Sequence, residues 1–168
     1  MHYYFILGNI FSFIAAICFA VSVFRKKTQD LLLWQVFEVV FCILSSFALY
    51  SYSAVTTNTI DFIRNILAWK NKLTKKITIL LLIAFIVFGL IANTRGIIGI
   101  LPVVSALVYT VCLYMTRDIQ KIRFILIICM GLWLVHDLFI GAYIAAVTDT
   151  LMMAWTLFNL LKNARLKK

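Results

Sequence analysis

Six ionisable side chains, Glu38, Asp61, Arg64, His136, Asp137 and Asp149, fall inside long apolar stretches of this 168-residue chain. Each costs several kcal/mol in hydrocarbon unless it has a partner or a role. Asn58, Asp61 and Asn65 are spaced i, i+3 and i+7, so on a helix all three project to one side. Asp149, Met152, Thr156 and Asn159 repeat that stripe near the C-terminus. Two such stripes facing a shared interior offer amides, hydroxyls and carboxylates, the groups that bind a polar solute in a dry site. The same residue types also bridge packed transmembrane helices, so the stripes read either as a site or as glue. Trp155, beside Asp149 and Thr156, is a candidate wall of such a pocket, with Trp133 as a second stacking face.

Arg64 lies six residues before Lys70, about 9 Å along a helix, and Glu38 lies seven residues past Leu31, about 10 Å. Matching depths predict an intramembrane ion pair between Glu38 and Arg64, which Asp61 can join through its i, i+3 spacing. Its role is a structural clamp or a gating, proton-coupled contact. His136 and Asp137 form a candidate proton-linked pair at the outer end of a span. Asp61 and Asp149 are further groups that could take a proton.

Enzyme chemistry is not expected, because no G-x-S-x-G elbow, P-loop, H-E-x-x-H or G-x-G-x-x-G occurs. No metal site is expected either: His2 and His136 are the only histidines, and Cys18, Cys42, Cys112 and Cys129 sit in separate apolar runs without a C-x-x-C pair. No cofactor is implied.

Hydrophobic residues make up 64% of the chain and charged ones 13%, too few polar side chains to coat a water-facing surface. The expected partner is the lipid bilayer, and the fold class an all-α polytopic membrane protein. Apolar runs predict helices at about Tyr4 to Phe24, Leu31 to Tyr50, Ile77 to Ala92, Ile98 to Met115 and Ile122 to Ile140. Two more polar stretches, Ala54 to Trp69 and Ala142 to Leu161, complete seven. The first span lacks a basic flank and a small-residue cleavage site, so it is expected to be retained.

With the N-terminus outside, seven crossings gather Arg25, Lys26, Lys27, Lys70, Lys72, Lys75, Lys76, Arg117, Lys121, Arg123, Lys162, Arg165, Lys167 and Lys168 on the cytoplasmic side. Only Arg95 is left outside. That asymmetry predicts an outside N-terminus and a cytoplasmic C-terminus. The net charge of +10 is scattered over helix ends, where cations meet lipid headgroups, and nucleic-acid binding is not expected.

A shift of 91 residues pairs Gly8 with Gly99, Lys26 with Arg117, Gln29 with Gln120, Ala54 with Ala145, Thr57 with Thr148, Asn58 with Asp149 and Thr59 with Thr150. Asn65 pairs with Asn159 if three residues are inserted. The pairs predict one membrane domain, residues 1–168, made of two parallel three-helix repeats, 4–70 and 98–163, around a linker helix, 77–92.

This three, one, three plan resembles the SWEET sugar facilitators and the PnuC vitamin transporters. That resemblance implies Asn65 and Asn159 as matching substrate contacts. The segments Asp61 to Leu67 (DFIRNIL), Leu101 to Ser105 (LPVVS), Trp133 to Asp137 (WLVHD) and the ending FNLLKNAR resemble the YgjV family of bacterial inner membrane proteins. The expected function is a small-solute facilitator or proton-linked carrier, for a sugar, nucleoside or vitamin. The alternative is a non-transporting structural or accessory membrane protein.

Overall fold

A computed structural model describes the backbone of residues 2–165 and the side chains of residues 3–162. The basic tail of Arg165, Lys167 and Lys168 lies outside the described side chains. Seven helices follow one another: α1 (His2–Phe24), α2 (Thr28–Ala48), α3 (Tyr52–Trp69), α4 (Lys75–Ile91), α5 (Gly96–Met115), α6 (Ile119–Ile140) and α7 (Tyr143–Arg165). Several begin earlier than apolar runs predict, because polar first turns carry the helix start. Thr74 accepts from the Ile77 amide at 3.4 Å to cap α4, and Asp118 accepts from the Gln120 amide at 2.8 Å to cap α6.

Among the described residues, five helices are long and apolar enough to cross a membrane: α1, α2, α5, α6 and α7. α7 qualifies despite its polar residues. α3 does not, since Thr56, Thr57, Asn58, Thr59, Asp61, Arg64 and Asn65 crowd its middle. α4, expected as a clear span, has 17 residues, about 26 Å of helix against a hydrocarbon layer of about 30 Å. A helix of that length crosses only where the bilayer thins or its neighbours help.

Six helices close into a ring: α1 packs on α2, α2 on α3, α3 on α5, α5 on α6, α6 on α7, and α7 back on α1. α4 packs on α3 and α5, behind their contact. Polarity is inverted relative to a water-soluble protein. Phe47, Leu80, Phe139 and Leu151 are exposed over at least 60% of their surface, while Arg64, Asn65, His136 and Thr110 are buried. Lipid is the solvent for the outer face, and the polar groups turn inward to find each other.

Two tight turns set the register of the ring. After α2, Tyr50 adopts a left-handed backbone (φ 55°) and the Ser51 amide donates back to the Ser46 carbonyl at 2.9 Å. After α6, Gly141 does the same (φ 83°) and the Ala142 amide donates to the Asp137 carbonyl at 2.9 Å. Both are Schellman closures that satisfy terminal carbonyls. A Cβ at Gly141 is strained at that φ, so Gly141→Ala is expected to cost about 1 kcal/mol. Thermal unfolding of the detergent-purified variant should show a midpoint lowered by a few degrees.

A polar cavity inside the six-helix ring

Inside the ring lies a cavity of about 130 Å³, walled by residues from α1, α2, α3, α5, α6 and α7. Helical periodicity places its polar wall. On α2, Gln35, Glu38, Cys42, Ser45 and Ser46 recur at three- and four-residue steps and therefore share one face. On α3 the stripe Asn58, Asp61 and Asn65 faces the same space, joined by Arg64. α6 contributes Trp133 and Asp137, and α7 contributes Thr148 and Asp149.

Arg64 organises one side. Its guanidinium pairs with Asp61 one helical turn earlier. It also donates to Asn65 Oδ1 from Nε at 3.1 Å and from a terminal nitrogen at 2.9 Å, and to Thr110 Oγ1 at 3.4 Å. The cation stands 4.7 Å above the Tyr109 ring, and Tyr109 donates to Gln35 Oε1 at 2.9 Å. A cation–π contact in a desolvated site adds to the Coulomb term. The ion pair thus falls to Asp61 and not to Glu38: a partner on the same helix needs no alignment between helices. Glu38 stays on the cavity wall and makes no ion pair among the described residues.

Across the cavity, Asp137 Oδ1 lies 3.0 Å from His136 Nδ1, and His136 Nε2 lies 3.0 Å from Ser51 Oγ in the α2–α3 turn. With Asp137 ionised and His136 neutral, Nδ1 carries the hydrogen and Nε2 accepts from the Ser51 hydroxyl. The connectivity matches that of a nucleophilic triad, but Ser51 is fully buried and is not on the cavity wall. The chain of bonds ties Asp137 on the cavity wall, through His136, to the α2–α3 turn. Ser12 and Ser45 share a 2.7 Å bond, and Asn58 donates weakly to Ser46 at 3.4 Å.

Residues 6–167 match the Imp-YgjV family, described as a bacterial inner membrane protein. The chain belongs to that family. It is accordingly a multi-pass protein of the bacterial inner membrane, in contact with the lipid bilayer. No curated protein and no solved structure matches it.

Within this Imp-YgjV protein the sequence-predicted site residues divide. Asn58, Asp61, Asn65, Asp149, Glu38, Arg64 and Asp137 line the cavity, and His136 stands fully buried behind Asp137. Trp155, Thr156 and Asn159 are not on its wall. Trp155 is on the outer face, edge-on to Phe24 with ring centres 5.2 Å apart. Asn159 donates to the Trp155 carbonyl of its own helix at 3.0 Å. Thr156 is buried with no hydrogen-bond partner for its hydroxyl among the described residues. The reason is depth: Thr156 and Asn159 lie seven and ten residues beyond Asp149, about 10 and 15 Å further along α7. Gln35, Ser46, Ser105 and Trp133 are wall residues that the stripes do not include. The 91-residue shift marks some of them, since it carries Ser46 onto Asp137.

Proposed function

We propose that this protein is a small-solute facilitator or proton-linked carrier whose site is the ring cavity. Two parallel three-helix units, residues 4–70 and 98–163, flank it, joined by the linker helix 77–92. All seven helices cross, with the N-terminus outside and the basic ends cytoplasmic. The observation that carries this reading is the relation between the two halves of the wall.

A shift of 91 takes the wall residue Ala15 to Ala106, Glu38 to Cys129, Cys42 to Trp133, Ser46 to Asp137 and Asn58 to Asp149, each also on the wall. The same shift takes the α2 start to the α6 start, the α3 start to the α7 start, and the α1 end to the α5 end. It carries the left-handed Tyr50 onto the left-handed Gly141. Exchanging the two halves, forward by 91 for α1 and back by 91 for α7, relates the contact between α1 and α7 to that between α5 and α3. A site at the interface of two parallel repeats, near the midplane, is the plan by which repeat-built transporters alternate access.

The accessory reading has its own support in the bonds Ser12 to Ser45, Asn58 to Ser46 and Tyr109 to Gln35, which knit helices together as glue would. Thermal stabilisation of the detergent-purified protein by a broad solute panel separates the two, because a ligand of the folded state raises its apparent stability. A hit that is lost in Asn58→Ala and Asn65→Ala, followed by flux of that solute in liposomes, supports the carrier. Silence across the panel, with both variants as stable as the parent, supports the accessory role.

A further inference from the structure

We infer that the cavity selects a small organic cation, an alkylammonium or guanidinium compound, over neutral sugars, nucleosides and vitamins. This deepens the carrier reading and rests on the cavity being a solute site.

Four of the six acidic residues of the chain, Glu38, Asp61, Asp137 and Asp149, stand on the cavity wall. The other two, Asp30 and Asp118, sit at the starts of α2 and α6. Among the described residues, Arg64 is the one basic side chain on that wall, against sixteen Lys and Arg in the chain. Its charge is already taken by Asp61 and its donors by Asn65 and Thr110. Glu38 and Asp149 therefore face the interior without a cationic partner. In a low-dielectric interior such groups either take up a proton or call for a compensating positive charge.

An independent polar group points to a hydrogen-bond donor. Asn58 is 4% exposed and uses only its amide nitrogen, leaving its carbonyl oxygen as a free acceptor. A native structure seldom leaves buried acceptors unmet without a ligand or water to meet them. An ammonium or guanidinium group supplies both the charge and the N–H donors.

The rest of the wall distinguishes an organic cation from a bare metal ion. The four carboxylates come from four different helices, and no three His, Cys, Asp or Glu among the described residues group closely enough to hold a metal. Between them lie Ala15, Val39, Ala106 and Met130, which favour methylene groups, and Trp133, whose ring offers a cation–π face. The cavity, at about 130 Å³, has room for about four waters at about 30 Å³ each, or for one molecule of several heavy atoms.

The test uses a shape-matched pair that differs in charge, putrescine against 1,4-butanediol, with agmatine alone, on the full-length protein in detergent at fixed ionic strength. Sodium chloride serves as the inorganic control. Putrescine or agmatine is expected to raise the unfolding midpoint by on the order of 5 °C at a hundredfold excess over Kd. The diol and sodium are expected to leave it unchanged. Glu38→Gln and Asp149→Asn, each folded by size-exclusion profile, are expected to weaken cation binding at least tenfold in titration calorimetry.

Stabilisation by the diol equal to that by the diamine overturns the cation class and leaves the carrier reading standing. Equal stabilisation by sodium overturns the organic cation in favour of a metal ion. Unchanged calorimetry in both carboxylate variants overturns the site assignment. Cation binding without uptake into liposomes upholds the site and overturns the carrier.

Discussion

Arg64→Ala is expected to abolish most of the folded protein recovered from membranes, with a loss of about 3–5 kcal/mol. The substitution strips Asp61 of its ion-pair partner while that carboxylate stays 6% exposed, and it removes the donors that Asn65 and Thr110 meet. Most of the cost is the stranded charge, so its remedy identifies the partner. Arg64→Ala combined with Asp61→Asn is expected to recover a large part of the loss, and Arg64→Ala combined with Glu38→Ala is not. Detergent extraction followed by size exclusion and thermal unfolding reads both double variants. Equal recovery in the two would mean that Arg64 serves the whole acidic wall and not Asp61.

His136→Ala is expected to follow closely, at about 3 kcal/mol or more. The ring is fully buried, packs edge-on to Trp133 with centres 5.4 Å apart, and ties Ser51 to Asp137. Its removal opens a void and leaves a buried hydroxyl and a buried carboxylate without partners. Ser51→Ala removes only the far end of the chain, so it is expected to cost about 1 kcal/mol. Adding Asp137→Asn to His136→Ala is expected to cost less than the sum of the two single changes, because the second change neutralises the charge that the first exposes. Strict additivity in unfolding midpoints would show that His136 acts through packing alone.

The membrane setting, the all-helical fold and the face of α3 that meets the cavity are legible in the sequence, because each depends on local composition or on 3.6-residue periodicity. Asn58, Asp61 and Asn65 face inward as spaced. The choice between Glu38 and Asp61 as partner of Arg64 is not legible. Equal depth on two helices says nothing about which way each side chain turns, whereas Asp61 is one turn away on the same helix. Asn159 misled for a related reason. Matching it to Asn65 required three inserted residues, but the helix starts align at a shift of 91 without any, and the residue 91 positions beyond Asn65 is the buried Thr156. The shortness of α4 is legible too: its apolar run, 77–92, is 16 residues, and the helix has 17.

Around the ring, α1 to α2, α2 to α3, α5 to α6 and α6 to α7 are neighbours in the chain as well as in space, each joined by two or three residues. The two remaining joints differ. Where α3 meets α5 the chain detours through α4, which braces that joint from outside. Where α7 meets α1 no connecting segment runs at all. That joint is held by side-chain contacts: Phe5 against Tyr143 towards one end, Phe24 against Trp155 towards the other, and the Asn9 amide on the Gly141 carbonyl at 3.2 Å. The wall is a split cylinder, stiffened on one side and slit along the opposite one. Between the first and last helices the wall therefore depends on side-chain contacts alone, with no turn to tie one side to the other.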